Sequence, residues 1–403
     1  MRIFLNKKNV RSSSPKTFGE YREQAFFLNV LFLDTPRNKF RALELTNLLK
    51  KKKRPSLLSL IVILILLLQL SCSKEELGPQ CESCASEVLS IDSSDVLIVN
   101  EGNFGWGNGS LSLYQPNSKN ISNNVYSLAN NNLPLGDVIQ SAYQLNDKIY
   151  VVANNSNKIE IINKNTFINE ATITGFNSPR YFLPINNNKA YVSDLYSNSI
   201  QVIDLNTNTI TNNINTNGWS ENMLLHNDTA YVCDMTNNNL LIINTNNDNL
   251  VDSVKVGVSP NSLVLDANNK IWIMCSGGFQ EDNPKLIRFN PQTRNIEATF
   301  VFSNINESPS NLSINNNKTQ FYFLNTNVYT LNINATSLPT SSLINSNGNT
   351  FYGLGIHPAS EDIYVADAID YVQSGFVYRY STSGSLVDQF NVGIIPGNFL
   401  FLQ

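Results

Sequence analysis

Ala190-Tyr191-Val192-Ser193-Asp194, followed at once by Ser199-Ile200-Gln201-Val202-Ile203-Asp204, is the stretch that decides the fold. Each half is a short apolar run with β-branched and aromatic residues, and a polar Ser/Asn turn separates them. That is the signature of two antiparallel strands. The first run recurs along the chain. Its second members are Ile98, Tyr150, Tyr191, Tyr231, Trp272, Tyr322 and Tyr364, spaced 52, 41, 40, 41, 50 and 42 residues apart. The second run recurs at 110–114, 158–162, 199–203, 240–243, 286–289, 329–333 and 376–380. A weaker fourth strand follows, and an inner strand opens each repeat, often after Ser-Pro, as at Ser178-Pro179, Ser259-Pro260 and Ser308-Pro309. Seven repeats of about 40 residues with four short strands each predict an all-β, seven-bladed β-propeller over residues 93–403.

The two ends of this region complement each other. The first repeat begins directly at its second strand, near Asp95, with no inner strand before it. The last repeat leaves Pro396-Gly397-Asn398-Phe399-Leu400-Phe401-Leu402 over, which matches the inner strand Ser259-Pro260-Asn261-Ser262-Leu263-Val264-Leu265. The C-terminal strand is therefore expected to pair into the first blade and close the ring, removing two exposed sheet edges.

Upstream of the repeats the rules change. The 403-residue chain has a net charge of −4, but residues 1–71 carry 14 Lys+Arg against 4 Asp+Glu, whereas residues 72–403 carry 14 against 28, a net of −14. No part of 72–403 is basic enough to be a nucleic-acid domain. Residues 50–54 are a basic run, and residues 57–70 are apolar except for Ser59 and Gln69. Fourteen residues are short for a membrane span and have the size of a signal-peptide core. Leu70-Ser71-Cys72 ends it, which resembles the lipobox of bacterial lipoproteins and implies lipidation of Cys72. The domain reading is then a leader over 1–49 ahead of the true start, a signal peptide over 50–71, a flexible tether over 72–92 and the propeller over 93–403. Ser73-Lys74-Glu75-Glu76 resembles the surface-export signal of Bacteroidota lipoproteins. This implies an outer-membrane, lipid-anchored protein facing the cell exterior. Cys81-Glu82-Ser83-Cys84 in the tether lacks the second ligand pair that zinc needs and reads as a local disulfide.

The YVTN-type runs resemble the YncE-like propellers. The opening Ile98-Val99-Asn100-Glu101-Gly102-Asn103-Phe104-Gly105 with Gly109-Ser110-Leu111-Ser112-Leu113-Tyr114 resembles the DUF5074 group of Bacteroidota surface lipoproteins. Some members of that group bind corrinoids above a TonB-dependent transporter. The resemblance implies that role, with the transporter as partner. No cofactor is assigned.

In a propeller, the loops leading into inner strands and those after second strands share one face. Here these loops carry Phe104, Trp106, Tyr196, Trp219, Phe279, Tyr352 and Tyr371, among many Asn. Such a set suits stacking on a flat ligand with amides as hydrogen-bonding partners. Arg180 is the basic residue of the segments that lead into inner strands and could meet a carboxylate or phosphate. One aligned position holds Glu101, Asp194, Asp234 and Asp367, which either accept bonds from turn amides or supply oxygens to a cation such as Ca²⁺. The two histidines, His226 and His357, fall in the opposite turns, so nucleophilic catalysis lacks its base and no catalytic residue is assigned. Non-catalytic ligand capture is the expected function. A protein- or glycan-binding adhesion module and a Ca²⁺-dependent lactonase-like hydrolase are the alternatives.

Overall fold

A computed structural model describes residues 91–403. The leader, the signal peptide, the lipidation site Cys72 and the Cys81/Cys84 pair lie outside the described residues. The 27 strands run in chain order from β1 (Val96–Asn100) to β27 (Pro396–Phe401) and group into seven antiparallel sheets. Blade 1 is built from β27, β1, β2 (Ser110–Gln115) and β3 (Asn120–Ser122). The inner strands of blades 2 to 7 are β4 (Ile139–Leu145), β8 (Pro179–Asn186), β12 (Ser220–His226), β16 (Pro260–Leu265), β20 (Ser310–Ile314) and β23 (Phe351–Ile356). Proline opens β8, β16 and β27, a strand position where a missing N–H costs no ladder bond.

The ring closes as expected. β27 pairs antiparallel with β1, Val96 opposite Phe401 and Ile98 opposite Phe399. The Leu402 amide then donates to the Asp95 carbonyl at 3.0 Å.

Side-chain alternation explains how the blades stack. A strand presents successive residues to opposite faces. In β9 (Lys189–Asp194) of blade 3, Ala190 and Val192 join a core with Phe182 of the same blade and Tyr150 of blade 2, while Tyr191 joins Met223 and Val232 of blade 4. Seven such apolar clusters occur, one at each blade–blade junction. Second strands are therefore buried on both faces, as β1, β17 (Ile271–Cys275) and β24 (Ile363–Asp367) show, and this is why the recurrent runs are apolar without a break. The junction of blades 7 and 1 packs Tyr364 and Val377 against Val96, Ile98, Phe399 and Phe401, so the closing strand is held by core as well as by ladder.

Asparagine does the work of the turns. Among the described residues, 26 non-glycine residues have positive φ and 13 of them are Asn, which adopts the left-handed region more readily than most other non-glycine residues. The turn after the third strand repeats in five blades. The side chain of Asn163, Asp204, Asn244, Asn290 or Asn332 accepts the amide two residues on, at 2.8–3.0 Å.

One repeat departs from expectation. Blade 6 has three strands, ending at β22 (Asn327–Asn332), with no fourth. The following segment contains Pro339 and touches β22 through a single bridge, Val328 to Ile344. Ala335 and Leu338 fold onto the core instead. A proline lacks the N–H that a ladder strand would need.

Candidate functional site

Every inner strand breaks register where it begins. Relative to its partner the strand carries one extra residue there, so Gln140, Arg180–Tyr181, Glu221–Asn222, Asn261, Asn311–Leu312, Tyr352 and Gly397 fall out of regular pairing. A bulge of this kind re-aims a side chain. Repeated seven times, it sets a ring of mainly polar residues at one mouth of the central channel.

Two linked groups form within that ring. In the first, the Arg180 Nε–H donates to Glu221 Oε1 at 2.7 Å, and its Nη1 donates to Gln140. The Trp219 indole N–H donates to the same Glu221 oxygen at 2.5 Å, and its ring centroid lies 5.9 Å from the guanidinium. In the second, the Tyr352 hydroxyl lies 3.1 and 3.2 Å from the two oxygens of Glu101. Gly397 makes this meeting possible, since a Cβ there would sit 2.9 Å from Glu101 Oε1 and 3.2 Å from the Tyr352 ring. The Tyr371 ring packs edge-on against Tyr352, centroids 5.6 Å apart.

The charges are mutually adjusted. Burial pushes the Glu101 carboxyl up to about 7; the Tyr352 bond and the Arg180 charge oppose the rise, and Glu221 adds to it. Burial works against the Arg180 charge, yet Glu221, Tyr181 and Glu101 together more than offset it and hold the guanidinium above its ordinary value. Burial and the neighbouring Glu101 charge raise Tyr352.

The other members of the aligned acidic position serve their own turns. Asp194 accepts four amides, those of Asn177, Ser178, Tyr196 and Ser197, at 2.9–3.1 Å. Asp234 accepts from Asn237, and Asp367 from Thr350 and Ile369. Among the described residues no group of three or more His, Cys, Asp or Glu is placed to hold a metal ion. His226 ends β12 and His357 follows β23, at the opposite mouth. Cys233 and Cys275 are buried free thiols, and burial pushes Cys275 up to about 12.

Of the aromatic residues singled out in the sequence, Trp219, Tyr352 and Tyr371 join the channel-mouth groups. Phe104, Trp106, Tyr196 and Phe279 stand on the outer loops of blades 1, 3 and 5 with 71, 79, 70 and 90% of their surface exposed. No ring contact joins those four to one another. Glu221 and Gln140, both central to the ring, were not singled out. Their signal is positional: they occupy the same bulge step as Arg180, next to the first residue of an inner strand.

A closed ring of seven blades with a polar channel mouth defines a seven-bladed β-propeller. Within that class residues 94–396 match the family described as "Domain of unknown function (DUF5074)", and the chain belongs to this family. No curated protein matches it. Among solved structures, it is similar to the periplasmic gluconolactonase of Pseudomonas aeruginosa (TM-score 0.60, 11% identity, covering 77% of this chain and 99% of that one). It is also similar to a quinonprotein alcohol dehydrogenase-like protein of Bacteroides thetaiotaomicron (0.59, 14%, 77% and 78%) and to a protein from Lactobacillus plantarum (0.58, 13%, 77% and 99%). At these identities the likeness is one of fold.

Proposed function

We propose that the propeller captures a ligand on the face bearing the channel mouth, without catalysing a reaction on it. The observation that carries this reading is the exposure of Phe104, Trp106, Tyr196 and Phe279 on loops of that face. Large apolar side chains left in water at one end of a ring, above a polar floor, suit a ligand with a flat apolar surface and polar edges. A corrinoid is the first ligand to test, because the resemblance to corrinoid-binding surface lipoproteins points there. In that reading Cys72 anchors the protein to the outer membrane, and a TonB-dependent transporter receives the ligand.

Isothermal titration of the purified protein with cyanocobalamin tests the ligand. Saturable heat that is weakened in the Trp106→Ala, Trp219→Ala double variant supports corrinoid capture. An absence of heat at micromolar protein removes the corrinoid.

A further inference from the structure

We propose that the channel mouth is a subsite for the hydroxyl groups of an uncharged sugar, held between the Arg180–Glu221 pair and the Glu101 carboxyl with the Trp219 ring alongside. The proposal rests on the ligand-capture reading but not on the corrinoid.

The argument is an inventory of hydrogen-bonding capacity. A guanidinium has five N–H donors. Arg180 spends one on Glu221 and one on Gln140, and no described residue accepts from its Nη2. Glu221 receives both Arg180 and Trp219 on Oε1, which leaves Oε2 unspent. The two oxygens of Glu101 share a single hydroxyl proton from Tyr352. Arg180 Nη2 and Glu221 Oε2 are not among the buried polar atoms that lack a partner, so both keep some contact with solvent. The Arg180 side chain keeps 19% of its surface exposed and Glu221 5%, a pair set into the wall with one edge open.

That inventory holds donors and acceptors together at little net charge. An anion would face Glu221 and Glu101 within a region of net −14, and a cation would face Arg180. A pair of neighbouring hydroxyls suits both halves, since each hydroxyl accepts from a guanidinium and donates to a carboxylate. Trp219, fixed by its N–H bond to Glu221, offers a flat face beside those groups, as the C–H face of a sugar ring requires. A Glu101 carboxyl held near 7 can accept or donate at neutral pH.

Saturation-transfer NMR tests this on the full chain with neutral trisaccharides (maltotriose, cellotriose, mannotriose and triacetylchitotriose), with galacturonate and N-acetylneuraminate as charged comparators. Transfer to at least one neutral sugar and none to the charged ones is expected. The charge-balanced double variant Arg180→Gln, Glu221→Gln should weaken that binding by about tenfold or more, the usual cost of losing hydrogen bonds to charged groups. Tyr352→Phe, which removes one hydroxyl, is the second variant should the double variant melt early. Transfer to no neutral sugar, or transfer unchanged in both variants, overturns the proposal. Cyanocobalamin binding without transfer to any neutral sugar would leave capture standing while the sugar subsite falls. Binding of neither class would remove both.

Discussion

The Tyr352 hydroxyl bridges both oxygens of Glu101, tying the inner strand of the last blade to the second strand of the first across 251 residues of sequence. The bond sits beside the closing strand, over Gly397. It also fixes a carboxyl that burial holds up to about 7.

Stability should depend on that carboxyl. Its folded pKa lies above the ordinary 4.5, so between those values the folded state keeps a proton that the unfolded state has lost. This group's contribution is therefore fully present below about pH 4.5 and is lost as pH rises to about 7. Melting temperature followed from pH 4.5 to 8 should fall more steeply in the wild type than in Glu101→Gln. Parallel curves would show that Glu101 does not carry the dependence.

Ring closure makes a sharper claim. β27 supplies the inner strand of blade 1 and half of the junction between blades 7 and 1. Deleting residues 396–403 exposes the edge of β1 and uncovers Val96, Ile98 and Tyr364. The truncated protein should lose its cooperative calorimetric transition, and an unchanged transition would refute closure by this strand.

The tryptophans should separate stability from binding. Trp272 is fully buried, and its indole N–H donates to Asp266 at 2.8 Å. Trp272→Ala should cost about 3–5 kcal/mol in chemical denaturation, as large aromatic truncations in cores do. Trp106, at 79% exposure, should change the unfolding free energy by less than about 0.5 kcal/mol when replaced by Ala, as surface substitutions do. The effect of Trp106→Ala should appear in ligand affinity instead.

Asp194 tests the acidic position. Its four amide bonds commit both oxygens to the turn. Asp194→Ala leaves buried donors unpaired and should destabilise by about 1–3 kcal/mol. Millimolar Ca²⁺ should leave the wild-type melting curve in place. A rise of several degrees would assign the carboxylates to a cation.

The sequence alone determined the blade count and the closing strand. Those follow from local, periodic rules: alternation within strands, left-handed Asn in turns, and a leftover C-terminal run that matches an inner strand. It offered turn amides or a cation as the partners of Asp194, Asp234 and Asp367, and the structure gives them turn amides. Only the tertiary structure decided which polar residues meet. Arg180 reads in sequence as a lone cation open to an anion, yet it lies against Glu221, 41 residues away on the next inner strand, because both occupy the same bulge step. Glu101 reads as one of four equivalent acids, yet it alone reaches Tyr352, because Gly397 leaves the space between them. Blade 6 reads as a four-stranded repeat, yet its outer segment packs Ala335 and Leu338 into the core rather than pairing. In each case the outcome depends on contacts between blades, which no single repeat encodes.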